Sequence, residues 1–375
     1  MKKIAIFTST RAEYGLLKVL IGKLNNDKDF ELILLVSASH FNPKYGNTLS
    51  EIEGDGFDPD YLIPVEINNS EIRGMANHTA ETIKLVSKAL EESNPHFLLI
   101  LGDRFETFGS VTAAHLMGIK VIHLHGGETS LGAIDEKLRH AITQLSTYHF
   151  TSAEIHKKKV ETIIGSSKNV YNVGPLVIDG LLNLKRVSKN EFKNKTGFNF
   201  SKTNLLVTFH PETLSQNYGI DGLKNLLKVL DNYDSNILFT APNIDVGSDK
   251  ILEIINKFVL TKKSKYFYIP SLGQELYLNA LLLFDCVIGN SSSGILEAPL
   301  MKTKVLNIGN RQQGRFRFGP VLNASNDLIS ISSAVEKIFS LKNTIKFDFD
   351  AFKKEYGSKS PSNQIIKVLK KSRFN

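Results

Sequence analysis

Asp285-Cys286-Val287-Ile288-Gly289-Asn290-Ser291-Ser292-Ser293-Gly294-Ile295-Leu296-Glu297 is an apolar run that breaks into a small polar turn and resumes as a helical pattern. Strand, turn and helix in that order are the building block of an α/β protein. A Gly/Ser turn at a helix N-terminus exposes backbone N–H groups and hydroxyl donors, and the positive end of the helix favours an anion, a phosphate first of all. Ser291, Ser292 and Gly294 are therefore candidate phosphate contacts. Glu297, in the first turns of the same helix, is placed to accept hydrogen bonds from a ribose diol. The competing reading makes Ser292 an ordinary N-cap.

The same grammar recurs on both sides of this stretch. Apolar runs rich in β-branched residues, Ile4 to Phe7, Leu32 to Val36, Phe97 to Leu101, Val121 to Leu124, Leu205 to Phe209, Ile237 to Thr240 and Val305 to Ile308, alternate with helical patterns. Strands without polar alternation, separated by helices, predict parallel sheets covered on both faces. The fold class expected is α/β, with two Rossmann-like domains. The pattern breaks at Gly174-Pro175, and a polar stretch from Lys189 to Lys202 precedes the second series. This gives an N-terminal domain over 1–173, a C-terminal domain over 174–360 and a terminal helix over 361–375, the last expected to pack back on the first domain.

Composition narrows the function classes. At 375 residues and 42% hydrophobic, the chain exceeds one comfortable core. Its one cysteine, Cys286, excludes a disulfide framework and a cysteine-based zinc site. No apolar run reaches membrane-spanning length, and the first strand is too short for a signal segment, so a cytoplasmic protein with no membrane partner is expected. The net charge of +8 is dispersed. Its clusters, Lys157 to Lys159 and Lys370 to Arg373, lack the interleaved aromatics of a base-stacking surface, so nucleic acid is not expected as a partner. Positive excess does favour a small anionic nucleotide.

In open parallel sheets, ligands bind beyond the carboxyl ends of the strands. After the first strand, Thr8 to Gly15 lacks G-x-G-x-x-G, which argues against a nicotinamide cofactor. Arg11 in that segment is either a donor fork for phosphate or sugar, or a surface arginine. Asp103 and Arg104 follow Phe97 to Leu101; they are a candidate acid and base, or a pair capping the next helix. His123-Leu124-His125-Gly126-Gly127-Glu128 puts both histidines on one side of a strand by period two, then uses two glycines to present Glu128. Asp135 precedes Arg139 and His140 in an amphipathic helix, so several titratable groups can converge, which favours acid/base chemistry. The alternative, a metal site, lacks an H-x-x-x-H pair or an aspartate-rich motif, and no metal is expected. His40, His78, His96, His115, His149 and His156 are expected to be solvated or structurally hydrogen-bonded. In the second half, His210, Asn243 and Arg311 each follow a strand, with His210 placed either to contact or protonate a leaving phosphate or to cap a turn.

Taken in order, Thr10-Arg11-Ala12-Glu13-Tyr14-Gly15, Gly102-Asp103-Arg104, His123-x-His125-Gly126-Gly127-Glu128, Asp135 with Arg139-His140-Ala141-Ile142-Thr143, His210-Pro211-Glu212-Thr213, Gly289 to Gly294 and Gly309-Asn310-Arg311-Gln312 resemble the hydrolysing UDP-N-acetylglucosamine 2-epimerases of bacterial sialic acid synthesis. The resemblance covers about residues 1 to 320. It implies a GT-B-like fold with the active site in the interdomain cleft, a UDP-sugar substrate, no cofactor, and a homodimer or homotetramer. It also implies a reaction: loss of the C2 proton, elimination of UDP to a 2-acetamidoglucal, and addition of water to give N-acetylmannosamine. Arg11, His210, Asn243, Ser291, Ser292, Glu297 and Arg311 would hold UDP, with Gly294 in the same turn. Asp103, Glu128 and Asp135 would be acid/base residues, and Arg104 would assist them.

One departure is His125, where some relatives carry glutamate. Imidazole and carboxylate can both remove the C2 proton when the site tunes them; the expectation is Glu128 as base with His125 as its partner. The same motifs do not read sugar C4 or C6, so UDP-N,N′-diacetylbacillosamine is the alternative substrate. A retaining GT-B glycosyltransferase is the alternative from another class, since fold does not fix function. A non-catalytic nucleotide-binding module is disfavoured by the presence of both sets of motifs.

Overall fold

Every residue of a central parallel strand must find apolar cover, because successive side chains point to opposite faces and helices lie on both. The computed structural model, which describes residues 1–42, 48–65, 72–317, 319–341 and 347–372, meets that demand in two separate units. The first has β1 (Lys2–Thr8), β2 (Phe30–Ser37), β3 (Tyr61–Ile63), β4 (Phe97–Leu101), β5 (Lys120–Leu124), β6 (Tyr148–Thr151) and β7 (Val170–Asn172), all parallel, in the order β3-β2-β1-β4-β5-β6-β7. Ile4 pairs with Leu32 on one side and Phe97 on the other. Ile4, Ile6, Leu99 and Ile122 face the helix Arg11–Asn25 through Leu17, Leu20 and Leu24, and the helix Pro361–Lys371 through Ile365 and Leu369. Ala5, Phe7, Leu98 and Ile100 face the other way, onto Val86 and Leu90 of the helix Ile72–Ser93 and Val111 and Ala114 of the helix Phe105–Leu116.

The second unit has β8 (Asn204–Thr208), β9 (Asn236–Thr240), β10 (Tyr266–Ile269), β11 (Cys286–Gly289), β12 (Lys304–Ile308) and β13 (Leu322–Ala324), again all parallel, in the order β10-β9-β8-β11-β12-β13. Its core joins Leu205, Val207, Ile237 and Ile288 to Leu223 and Leu226 of the helix Ile220–Leu230. In each sheet the winding reverses once, between β1 and β4 and between β8 and β11.

The chain visits the units in pieces. Met1–Glu128, Asp135–Asn183 and Phe349–Asn375 form the first; Thr129–Ile134 and Leu184–Asp348 form the second. The division after Asn183 lies beyond the Gly174-Pro175 break, because the helix Val177–Leu182 stays with the first unit. There Asp179 accepts hydrogen bonds from the Ser362 amide at 2.8 Å and the Ser362 and Ser360 hydroxyls at 2.5 Å each. Within the second unit, the Leu131 amide of the six-residue excursion donates to the Gln313 carbonyl at 3.1 Å. Among the described residues no helix is long and apolar enough to cross a membrane.

Candidate active site

In the first unit, the loops after β4 and β5 converge on Arg139, which the helix Asp135–Leu145 presents from its second turn. One guanidinium nitrogen of Arg139 donates to Asp103, and Nη1 donates to the His125 carbonyl at 2.9 Å. Nη1 also lies 3.6 Å from Glu128 Oε2. Arg139 and Glu128 side chains are 2% and 1% exposed, whereas Asp103 is 18% exposed, so Asp103 is the member of this group that solvent reaches most. Burial alone would discharge the arginine, but the Asp103 and Glu128 carboxylates, helped by Glu136 and Asp135, hold its pKa above the usual value. A fixed cation bridging two carboxylates keeps both in place. Among the described residues, no group of three or more His, Cys, Asp or Glu is arranged to hold a metal ion.

His125 sits just beyond β5 at φ +62°, a left-handed conformation that costs a non-glycine residue free energy and is met most often at functional turns. The expectation that His123 and His125 share one face fails for that reason: the period of two ends with the strand at Leu124. His123 is fully buried, its Nε2 2.9 Å from the Gly102 carbonyl, and burial pushes its pKa down to about 3. His125 instead accepts the Leu176 amide hydrogen at Nε2, at 3.2 Å. The ring proton of the neutral imidazole is thereby assigned to Nδ1, which lies 3.1 Å from Glu128 Oε1. Ser152 Oγ donates to the same Oε1 at 2.7 Å. Gly127 makes this packing possible: at φ +77° it lies so close to the helix Glu154–Ile164 that a Cβ would come 2.4 Å from the His156 carbonyl.

Arg104 pairs with residues beside it in sequence. Its Nε and Nη2 bond both oxygens of Glu106 at 3.0 Å each, and its guanidinium sits over the Phe105 ring at 5.2 Å. Asp135 is half-buried, one turn ahead of Arg139. His140 turns to Glu136 at 3.4 Å. At the other side of the winding reversal, Arg11 opens the helix Arg11–Asn25, capped by Thr10 and Glu13 in a reciprocal box: Glu13 Oε2 accepts from the Ser9 amide at 2.8 Å and the Thr10 amide at 3.2 Å. Burial raises the Glu13 carboxyl pKa to about 7, against the opposing pull of Arg104.

The second unit gathers its residues at the corresponding reversal. Beyond β8, the His210 amide donates to Asn290 Oδ1 at 2.6 Å while Asn290 Nδ2 donates to the His210 carbonyl at 2.8 Å. His210 Nδ1 accepts from the Asn243 amide at 2.9 Å, which leaves Nε2 as the hydrogen-bearing nitrogen, a donor suited to an anion. Arg311 Nη1 and Gln312 Nε2 donate to the Asn290 carbonyl at 3.3 and 2.9 Å. The turn then passes Ser291 and Ser292 into the helix Ser293–Leu300, on which Glu297 lies one turn in. Ser292 takes the N-cap position but makes no side-chain capping bond, which counts against the ordinary N-cap reading. Gly289 lets β11 approach β8 so closely that a Cβ would sit 2.0 Å from the Thr208 carbonyl.

Asn290 and Glu212 were not singled out by sequence. Glu212 accepts from the Asn310 amide at 2.9 Å and the Asn326 amide group at 3.0 Å, and so holds the loop that carries Arg311. The capping box did have a sequence signal, the T-x-x-E of Thr10 to Glu13; Ser152 had none.

Two doubly wound α/β units, each with polar strand-end residues at its own winding reversal, define a GT-B-like protein with a cluster of hydrogen-bond donors in one unit and an arginine-bridged carboxylate pair in the other. The chain belongs to the UDP-N-acetylglucosamine 2-epimerase family, whose model matches residues 22–370, and is an enzyme of that family. It is 35% identical over 341 residues to the GDP/UDP-N,N′-diacetylbacillosamine 2-epimerase (hydrolyzing) of Campylobacter jejuni, covering 90% of this chain and 88% of that one. It is also 35% identical over 326 residues to the polysialic acid biosynthesis protein P7 of Escherichia coli, covering 86% and 82%. In fold it matches the crystal structure of UDP-GlcNAc 2-epimerase from Neisseria meningitidis bound to UDP-GlcNAc, with a TM-score of 0.80 at 18% identity over 99% of this chain and 100% of that one.

Proposed function

We propose that this protein is a hydrolysing 2-epimerase that converts UDP-N-acetylglucosamine and water to N-acetylmannosamine and UDP. The observation that carries the reading is the Asp103–Arg139–Glu128 bridge beside His125, which provides two carboxylates of different exposure around one fixed cation. Proton removal from carbon and proton return to it need two such groups. Glu128 is the base, Asp103 and Asp135 serve the other proton transfers, and Arg104 steadies the loop after β4. His125 is a partner that orients Glu128, because its acceptor nitrogen is committed to Leu176. In the second unit Ser291, Ser292, Gly294, His210, Asn243 and Arg311 hold the diphosphate and uridine, and Glu297 takes the ribose; Arg11, in the first unit, is a candidate donor for phosphate or sugar. Donors fixed around a diphosphate also assist C1–O cleavage, because they stabilise the charge as it develops on UDP.

A second reading, with UDP-N,N′-diacetylbacillosamine as substrate, is favoured by the equal identity to the Campylobacter jejuni relative. Incubation of the purified protein with each UDP-sugar in deuterated water containing a chelator, followed by proton NMR, separates the readings. The expected result is free N-acetylmannosamine with deuterium at C2 and one UDP per sugar. Turnover of the diacetylated sugar alone selects the second reading. A UDP-linked 2-epimer without free UDP, a transferred sugar that keeps its C2 hydrogen, or activity that returns only with magnesium overturns the proposal.

A further inference from the structure

The polypeptide that follows the second unit returns to the first and grips the residues beside His125. The His125 backbone is tied from two sides: its amide donates to the Phe150 carbonyl at 2.8 Å, and its carbonyl accepts from Arg139 at 2.9 Å. The ring is left to a third contact, the Leu176 amide at Nε2. Leu176 precedes the helix Val177–Leu182, and six residues are too few to hold a helix by themselves. Gly174, at φ +84°, and Pro175 come just before it, and after Asn183 the chain leaves for the second unit. The helix Pro361–Lys371 holds this segment on both sides of Leu176. Ahead of it, Gln364 Nε2 donates to the Val173 carbonyl at 3.1 Å; beyond it, Ser360 and Ser362 give Asp179 its three hydrogen bonds. Asp179 and Ser362 are 1% and 0% exposed, and Leu176 packs in one core with Ile365 and Leu369.

We propose that Asp179 and Gln364 are positioning residues for Glu128, acting through Leu176 and the His125 ring, a role that rests on reading Glu128 as the base. An imidazole that accepts at Nε2 keeps its hydrogen on Nδ1, 3.1 Å from Glu128 Oε1. If the Leu176 amide moves out of range, Nε2 loses the donor that selects this tautomer. With the hydrogen on Nε2 instead, Nδ1 turns a lone pair toward a carboxylate oxygen, and ring and carboxylate repel. Ser152 still donates to Glu128 and Arg139 still lies beside it, so the loss is one of alignment and not of the local fold. Misalignment of about 1 Å, caused far from the chemistry, is enough to cost about a hundredfold in rate. A helix that the chain makes only after completing the second unit thus sets the orientation of a group presented after β5 in the first.

The test uses the full chain and whichever UDP-sugar the wild type turns over, with kcat and KM from UDP release at a temperature well below the unfolding of each variant. Asp179→Asn, which gives up one of the two acceptor oxygens, and Gln364→Ala, a milder change outside the buried clamp, are expected to lower kcat about ten- to a hundredfold with KM changed less than about threefold. Nitrogen-proton correlation spectra of protein labelled with nitrogen-15 in histidine supply the second readout, the His125 signals being those lost in His125→Ala. Wild type should show the hydrogen on Nδ1 and a bare Nε2; both variants should show a mixture. In the His125→Ala background, neither Asp179→Asn nor Gln364→Ala should cost more than about a further threefold, because the path to Glu128 is already cut. Normal kcat in both variants overturns the proposal, as does a fall in kcat with the wild-type tautomer kept, or losses that multiply with that of His125→Ala, which would mark a general loosening of the unit. Glu128→Gln is the control for the underlying reading. Near wild-type turnover in Glu128→Gln, with the tautomer still shifted in Asp179→Asn, removes Glu128 as the base and leaves only the hold on the His125 ring.

Discussion

Asn290 supplies, from one side-chain amide, both partners of the His210 backbone, at 2.6 and 2.8 Å. The loop after β8 is thus fastened to the turn after β11 by a residue that is 0% exposed, and the Asn290 carbonyl in turn receives Arg311 and Gln312. Replacing the amide with a carboxylate in Asn290→Asp keeps an acceptor for the His210 amide but faces the His210 carbonyl with a second acceptor. A buried group left unpaired costs about 1–3 kcal/mol, so UDP affinity measured by calorimetric titration should fall roughly five- to a hundredfold. An unchanged dissociation constant would separate this pairing from nucleotide binding.

Arg139 should prove irreplaceable by lysine. Its planar fork reaches Asp103, the His125 carbonyl and the neighbourhood of Glu128 at once, whereas an ammonium is a single centre. Arg139→Lys is expected to lower kcat by about a hundredfold or more, in the range of a lost preorganised charge contact, with UDP affinity unchanged. Arg139→Gln leaves two carboxylates without their cation and should also destabilise the first unit by about 3–5 kcal/mol. Comparable loss of UDP affinity in Arg139→Lys would show that the residue acts on the nucleotide and not on the carboxylate pair.

Much of this arrangement was legible in the chain because strand ends announce themselves locally. Phe97 to Leu101 followed by Gly-Asp-Arg, and Cys286 to Gly289 followed by Asn-Ser-Ser, need only their own residues to be read. The short strands β3, β6, β7, β10 and β13 were missed: Tyr148–Thr151 is buried throughout but carries His149 and two hydroxyls, so it lacks an apolar run. The partners that complete the candidate site were harder still. Ser152 meets Glu128 across 24 residues and Asn290 meets His210 across 80, and each contact depends on sheet order that no local pattern encodes. His125 misled the period-two reading because one left-handed residue ends the alternation.

Glu13 gives the stability of the protein a pH dependence of predictable sign. Its carboxyl titrates at about 7 in the folded chain against 4.5 when exposed. The folded state therefore holds the proton more tightly; the stability it contributes is complete below about pH 4.5 and is lost as pH rises through 7. At one pKa unit per 1.36 kcal/mol the loss is up to about 3 kcal/mol. Urea unfolding between pH 5 and 8 should show the advantage of wild type over Glu13→Gln shrinking as pH rises. Parallel stability curves for the two proteins would sink the assignment.

The residues Thr129–Ile134 leave the first unit between Glu128 and Asp135 and pack in the second. Neither unit is consequently encoded by one continuous stretch of gene. Exchange of a whole unit between relatives needs four junctions, after Glu128, Ile134, Asn183 and Asp348. A single crossover at the apparent linker would transplant one unit's six-residue piece inside the other and part it from the Gln313 carbonyl it was folded to meet.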